Sequence, residues 1–536
     1  MHVRALSLLV LAIGCGARTG MLTDGAPFSV GGGGASSSAG SASAGAPAFA
    51  GQGGAALGGA SSGGSAGAQA GAPSSGASNG GTSGGPSCVD PRLVSVSPKP
   101  ASVGVASNDV LHAFLSCPLD PSVPWQGTLR ATGRYAGILP GTLAQMSATD
   151  VFLEPRAPDN FRKSPFFPGE LVTGWVAPAL GGPFQWQFTA ATRPKGSPHF
   201  TQTPQALNPA QDAELGDLDR DGDLDLVTGS SFDNVGRVWL NDGKGFFTLG
   251  VPLPPITESL LADVDADGDL DIISTHLYLN DGSAHFTEAQ EMGAVQAVFD
   301  ADGDGDMDVF SQRPNDEASL LFNDGKGVFS VRSVLFGGDL FDAKAGDLDN
   351  DGDLDLVAII YDTSKPRVAR MILLLNDGRG VFKETATDLK YDATRTLALG
   401  DVDQDGDLDV FLASWGAAGA RNPDDQVWLN DGHAHFTLGD SPISGSIDVT
   451  LQDLDGDNDL DAIVGQHPPY SVVAGEPSRI LLNDGKGHFM PGSSLGGSNF
   501  QHLTVGDLDG DGDLDAIVAQ WDWTLHPPVQ VWLQDN

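Results

Sequence analysis

One nine-residue pattern, with aspartate at every odd position, occurs seven times between residues 217 and 515. The first copy carries Asp217, Asp219, Asp221, Asp223 and Asp225, and the second Asp263, Asp265, Asp267, Asp269 and Asp271. The third carries Asp300, Asp302, Asp304, Asp306 and Asp308, and the fourth Asp347, Asp349, Asp351, Asp353 and Asp355. Asp401, Asp403, Asp405, Asp407 and Asp409 form the fifth, and Asp453, Asp455, Asp457, Asp459 and Asp461 the sixth. Asp507, Asp509, Asp511, Asp513 and Asp515 form the last. In a straight strand these carboxylates would share one face and repel, whereas in a curled loop they converge on a point. Position 6 is Gly in six copies and Asn458 in the other, and both residue types tolerate the left-handed backbone that curling needs. A hard cation that accepts six to eight oxygens in flexible geometry is the natural guest, and that is calcium. An EF-hand is excluded, because position 12 is Thr228, Ser274, Ser311, Ala358, Leu412, Val464 or Val518 and never Glu. Each loop runs instead into a short apolar, β-branched segment such as Leu224-Asp225-Leu226-Val227, which reads as a strand. The pattern therefore predicts seven β-hairpins, each closed by one Ca²⁺.

Loop starts are separated by 46, 37, 47, 54, 52 and 54 residues. A second signature recurs in each period, Val238 to Phe247, Leu277 to Phe286, Leu320 to Phe329, Leu373 to Phe382, Val427 to Phe436 and Ile480 to Phe489. Each contains Asn-Asp-Gly between apolar segments, which is hairpin-turn chemistry, and it is read here as a turn and nothing more. Four strands in each period of this length make a propeller blade. Over residues 194–536 the chain resembles the FG-GAP/VCBS family of calcium-binding propeller repeats. The resemblance implies that side chains at positions 1, 3, 5 and 9 of each loop ligate, with the backbone carbonyl of position 7. Lys195 to Phe200 resembles Lys486 to Phe489, so this stretch is expected to supply the fourth strand of the last blade and close the ring. Closure leaves only short, protected strand edges. Calcium loops and Asn-Asp-Gly turns then share one face, and the long loops of blades 4 to 7 lie on the other. Those loops are expected to present Trp415, Arg421, His467, Tyr470, Arg479, Trp521, Trp523 and His526 as a recognition surface, aromatic and cationic groups on a rigid scaffold.

The formal net charge of the 536-residue chain is −42, and the loops hold 35 of its 70 acidic residues. Seven bound Ca²⁺ would bring the charge to −28, still excluding the basic face that nucleic acid or anionic lipid needs. Residues 1–14 read as an export signal, with an apolar stretch too short to span a bilayer. Ala12-Ile13-Gly14-Cys15 resembles a bacterial lipobox, which implies a diacylated Cys15 and an outer-membrane or surface-exposed lipoprotein; plain secretion is the alternative. Residues 15–87 are dominated by Gly, Ser and Ala, and cannot offset chain entropy by burial. They are expected to form a disordered linker with a reach of roughly 40–50 Å.

Residues 88–193 change character. Short alternating runs at Leu93–Val96, Val110–Leu115, Val151–Leu153 and Phe184–Phe188 lie between Pro and Gly turns and read as strands of a β-sandwich, with Phe184, Trp186 and Phe188 facing one core. Val94 to Pro98, Phe114 to Asp120, Pro168-Gly169-Glu170-Leu171 and Trp186 to Thr189 resemble bacterial Ig-like domains. Cys88 and Cys117, an even pair in an exported chain, suggest a disulfide. The expected molecule is all-β, an Ig-like sandwich on a disordered linker preceding a seven-bladed propeller. Its expected role is that of a non-catalytic, monomeric surface lipoprotein, membrane-anchored at Cys15, that binds an extracellular glycan or protein. The alternatives are a polysaccharide-active enzyme or its carbohydrate-binding accessory, and a purely structural spacer.

Overall fold

Alternating segments between Gly and Pro turns become strands throughout; Pro178–Leu180, one 3₁₀ turn, is the only helical element among the described residues. The computed structural model describes residues 91–535 apart from 120–126, 158–163, 181–182, 194–197, 231, 314–316, 338, 362–368, 386–393, 415–424, 444, 467–476, 497–499 and 521–525. The export signal, Cys15, the linker and Cys88 lie outside the described residues. Cys117 is disulfide-bonded.

Eight strands build the first folded part: β1 (Leu93–Ser97), β2 (Leu111–Leu115), β3 (Leu129–Gly133), β4 (Gly137–Ile138), β5 (Gly141–Ser147), β6 (Asp150–Pro155), β7 (Leu171–Val176) and β8 (Phe184–Thr189). They form two four-stranded sheets, ordered β1-β2-β6-β5 and β4-β3-β7-β8. Leu111, Ala113, Val151 and Leu153 of the first sheet meet Leu129, Val172, Trp186 and Phe188 of the second in one core. Burial of a Leu- or Phe-sized side chain contributes about 1.5–3 kcal/mol. The four strands expected from sequence are β1, β2, β6 and β8. Trp186 and Phe188 are buried and Phe184 packs against them, as their alternation predicts. Gln185, on the other face of β8, is buried too, because a second layer covers that face.

Seven four-stranded antiparallel sheets follow. In six of them the strands are consecutive in the chain. In the last, strands Phe500–Gly506, Asp515–Gln520 and Gln530–Asp535 are completed by β9 (His199–Ala206), with Phe200 opposite Gln534 and Gln202 opposite Trp532. The expected closing strand is therefore found. The first strands of successive sheets are neighbours all the way round, and Asp212–Gly216 of the first sheet adjoins Phe500–Gly506 of the last. The result is a propeller-like ring. Each seam between neighbouring sheets is one apolar cluster; the first seam, for example, joins Val227 and Val238 to Ile272 and Tyr278.

One seam differs. Where the last sheet meets the first, Leu215, Leu226, Ile517 and Val531 belong to the same cluster as Tyr135, Phe167 and Trp186 of the sandwich. The sandwich is thus packed on the ring and not merely strung before it. Its core and that seam of the ring are continuous.

Candidate metal centres on the loop face

Each aspartate loop joins the first strand of a sheet to the second, and its backbone is held by its own carboxylates. The position 1 carboxylate accepts the N–H of position 6 in all seven loops, at 2.9–3.5 Å. The position 5 carboxylate accepts the N–H of position 7 at 2.9–3.1 Å. Position 6 has φ between 71° and 99° in every loop, Asn458 included. Position 4 is left-handed as well, although it is Arg220, Ala266, Asn350 or Gln404 in four loops, with φ of 60–61°. Sequence reasoning missed that second reversal, because only three copies mark it with glycine. The closed network of carboxylate-to-N–H bonds holds these side chains where an L-residue is otherwise disfavoured.

Position 9 is the most buried carboxylate of each loop, between 0% and 1% exposed. One oxygen accepts the N–H of position 2 at 2.8–3.2 Å. The other accepts, at 2.8–2.9 Å, the N–H of Asn241, Asn280, Asn323, Asn376, Asn430, Asn483 or Gln534 on the third strand. Burial pushes Asp225, Asp271, Asp308, Asp355, Asp409, Asp461 and Asp515 up to about 8, with neighbouring loop carboxylates adding to the rise. In five loops the position 7 carboxylate lies against the glycine of the Asn-Asp-Gly turn. A Cβ added to Gly243 would lie 2.5 Å from a carboxylate oxygen of Asp223, and the same approach recurs at Gly282, Gly325, Gly378 and Gly432.

The Asn of Asn-Asp-Gly is more than a turn residue. Its Nδ2 donates to the position 8 carbonyl of its own loop and to the position 2 carbonyl of the preceding sheet's loop; Asn376 reaches Leu354 O at 3.1 Å and Ala301 O at 2.9 Å. Gln534 makes the second of these bonds in the last sheet, reaching Leu454 O at 3.1 Å. The loops are therefore fastened into a continuous belt.

A donor set suited to a cation is left inside this belt. Carboxylate oxygens of Asp217, Asp219 and Asp225, of Asp263, Asp265 and Asp271, and of Asp300, Asp302 and Asp304 gather within 4.8 Å of one another. At position 3, Oδ1 of Asp302, Asp349, Asp403 and Asp455 is buried with no hydrogen-bond donor, as is Oδ1 of Asp263 at position 1. A buried carboxylate oxygen without a donor is costly, and a cation satisfies it. Acidic groups gathered in this way could bind metal ions.

A second titratable cluster, which the sequence did not signal, lies on the first strands near the ring axis. Asp212 and Glu214 of the first sheet approach His502 of the last. Asp212 accepts from Ser259 Oγ at 2.8 Å, and Glu214 from Arg134 of the sandwich at 3.3 Å. Burial pushes Asp212 up to about 7, against the pull of His502. His502 itself is raised: burial alone would lower it, and the carboxylates of Asp448, Asp212 and Glu214 outweigh that. The only cue in the sequence is Asp-Ala-Glu alternation on a strand, which any solvent-facing strand also shows.

Of the expected recognition residues, Trp415, Arg421, His467, Tyr470, Trp521 and Trp523 lie outside the described residues. Arg479 is not in a loop. It lies in the strand Ser478–Leu482, opposite Val464 and Ser494. His526 stacks on Phe232, ring centroids 4.6 Å apart, and so bridges the last sheet to the first.

Residues 217–274, 300–358 and 347–412 match the FG-GAP-like repeat. No curated protein matches the chain. Among solved structures, BBS1N in its complex with ARL6DN is similar at 13% identity over 64% of this chain and 98% of that one, with a TM-score of 0.43. The BP39L lectin from Burkholderia pseudomallei is similar at 10% identity over 61% of this chain and 96% of its own, with a TM-score of 0.44. FG-GAP-like repeats thus occur in three places of an all-β, propeller-like ring whose loops gather acidic groups able to hold metal ions.

Proposed function

We propose that this chain is a calcium-dependent seven-bladed propeller capped by an Ig-like sandwich, a non-catalytic, monomeric protein of the cell envelope. A lipid on Cys15 anchors it, and the linker over 15–87 gives it reach. The observation that carries the calcium reading is the set of buried position 3 oxygens without donors, inside loops whose position 5 and position 9 carboxylates already accept backbone N–H groups. Positions 1, 3, 5 and 9 would offer side-chain oxygens and position 7 its carbonyl, since the position 7 side chain is turned to the glycine of the neighbouring turn. An all-oxygen, multiply anionic set of this kind suits calcium over zinc or copper. The ion would supply charge neutralisation and cross-linking of the hairpin.

The sandwich occupies the loop side of the ring, so the surface left for an extracellular glycan or protein is the side carrying the connections between second and third strands. Among the described residues Phe232 and His526 stack on one another there. Two measurements test this reading. Calorimetric titration of the chelated protein with Ca²⁺ should give about seven equivalents, and fewer than four would overturn it. Binding to an array of glycans and cell-envelope extracts should depend on Ca²⁺; turnover of a polysaccharide by the same preparation would overturn the non-catalytic assignment.

A further inference from the structure

The sandwich does not merely rest on the loop face; it donates hydrogen bonds to the loop backbones. Trp175 Nε1 reaches Gly303 O at 3.3 Å, Gln185 Nε2 reaches Asp300 O at 2.9 Å, and Arg130 Nη1 reaches Gly305 O at 3.4 Å, all in one loop. The backbone N–H of Gln185 binds Gly352 O at 2.7 Å, and that of Arg193 binds Gly512 O at 3.1 Å. Thr192 Oγ1 lies 3.2 Å from Asp453 O and 3.3 Å from the Asp453 carboxylate. In the first loop the direction reverses, with Asp217 N donating to Tyr135 O at 3.0 Å.

The residues chosen are telling. Gly303, Gly305, Gly352 and Gly512 are left-handed positions 4 and 6, with φ of 74°, 93°, 90° and 97°. At Gly305, Gly352 and Gly512 the position 6 N–H goes to the position 1 carboxylate, inside the loop, while the carbonyl accepts from the sandwich. A donor on that carbonyl fixes the peptide whose orientation makes the loop curl. Uncurling the loop breaks the sandwich bond, and lifting the sandwich frees the curl.

The loops that start at 263 and 401 differ. Among the described residues the sandwich gives them packing only: Gly137 lies against Asp263, and Pro100 and Ala101 line a cleft with Gly406. Their lateral fastening comes from neighbouring loops, Arg220 Nη2 to Asp267 O at 3.0 Å and Gln404 Nε2 to Asn458 O at 3.1 Å.

We propose that the sandwich is a cation-dependent clamp. Arg130, Trp175, Gln185, Thr192 and Arg193 act as positioning residues for the loops at 300, 347, 453 and 507, so that cation occupancy and seating of the sandwich stabilise each other, as linkage requires. The loops at 263 and 401 stand outside this coupling, and the one at 217 joins through Tyr135. The inference rests on the calcium reading above.

The test uses the full chain, loaded with Ca²⁺ and mixed rapidly with an excess of a fluorescent chelator. Release should be biphasic, with the ions of the loops at 263 and 401 leaving first. Thr192→Val should speed one slow ion and Arg130→Ala another, each by about threefold to tenfold, the loss expected for one hydrogen bond. Terbium in place of calcium gives a second readout, because Trp175 lies against Gly305. Trp175→Phe should remove a share of the tryptophan-sensitised emission at unchanged terbium stoichiometry. A parent that takes up no calcium overturns the calcium reading and this inference with it. A parent that binds about seven ions and releases them at one rate, unmoved by Thr192→Val, Arg130→Ala or Trp175→Phe, overturns the clamp alone.

Discussion

The loops and the sandwich that covers them are built on opposite rules. Each loop satisfies itself with the same bonds, 1 to 6, 5 to 7 and 9 to 2, and each is fastened to its neighbour by the same third-strand amide. The sandwich touches the loops unequally, with an indole N–H at Gly303, a backbone N–H at Gly352 and Gly512 and a hydroxyl at Asp453. Sevenfold likeness therefore belongs to the ring, and the sandwich breaks it. Sites that are chemically alike are placed in unlike surroundings, so equal affinity does not follow from equal sequence.

Removing the cation should erase that contrast, and has the largest expected effect. With ~1 mM Ca²⁺ and extracellular-type sites of ~10⁻⁴ M dissociation constant, linkage gives ~1.4 kcal/mol per site, thus ~10 kcal/mol for seven. That is comparable to the whole stability of an ordinary domain, roughly 5–15 kcal/mol. Sequence alone suggests that the sandwich, which lacks the motif, would survive chelation. The shared cluster of Tyr135, Trp186, Leu215 and Ile517 reverses that expectation. A thermal melt in EDTA, followed by near-ultraviolet circular dichroism, should lose sandwich and ring in one transition at lower temperature. A second transition that survives EDTA would show the two parts to be energetically separate.

The pH dependence of the ion-free protein should come next in size. Asp355 and its six counterparts are pushed up to about 8 in the fold, against about 3.9 in an unfolded chain. A raised carboxyl contributes stability that is complete below about pH 4 and is lost as pH rises through about 8. The EDTA-treated protein should therefore melt higher at pH 5 than at pH 8. Calcium needs the ionised form, so its stabilising increment should grow over the same interval. An ion-free protein whose melting temperature rises from pH 5 to pH 8 would show that these carboxylates are held ionised without a cation.

Within a single loop, two aspartates should behave oppositely. Asp355 accepts from Asn376 N at 2.8 Å and from Leu348 N at 3.0 Å, so Asp355→Asn points an amide donor at an N–H. It should cost about 1–3 kcal/mol even in EDTA. Asp349 Oδ1 is buried without a donor, so Asp349→Asn should be neutral or slightly stabilising in EDTA and destabilising only when calcium is present. Urea denaturation of both variants with and without Ca²⁺ separates the roles, and equal costs in EDTA would merge them.

Much of the ring could be read from the chain because repetition turns a weak local cue into a strong one. Glycine at position 6 means little once, but six copies and Asn458 fix the curl. The closing strand was legible because Phe200 echoes Phe489. What escaped notice has no repeat to amplify it. Position 4 reverses its backbone whatever residue it holds, since the loop's own carboxylates supply the energy. Asn241 and its equivalents looked like turn formers because their second partner, Leu508 O, is 267 residues away. Strands β3, β4, β5 and β7 carry few apolar residues in alternation, and Gly133 and Gly174 interrupt them where Glu170 and Trp186 approach the backbone. Contacts between sandwich and ring depend on two surfaces meeting, which no local pattern encodes.

The smallest effect expected probes Tyr135, which together with Arg134 ties the sandwich tip to the innermost strands. Tyr135 is 2% exposed, and its Oη donates to Val505 O at 2.6 Å. The tip itself is held independently: Glu170, fully buried, accepts the N–H groups of Tyr135, Ala136 and Phe167 at 2.8–3.0 Å. Burial pushes the Tyr135 phenol above its ordinary value, against the pull of Arg134, so it remains a donor through the neutral range. Tyr135→Phe keeps the ring packed edge-on to Phe167 at 6.1 Å and removes only the bond to Val505. The expected cost is about 1 kcal/mol, the same with and without calcium, because Tyr135 holds the first loop through its backbone carbonyl and not through its phenol. A larger loss confined to the calcium-loaded protein would mean that the axial bond, and not the loop contacts alone, transmits cation occupancy to the sandwich.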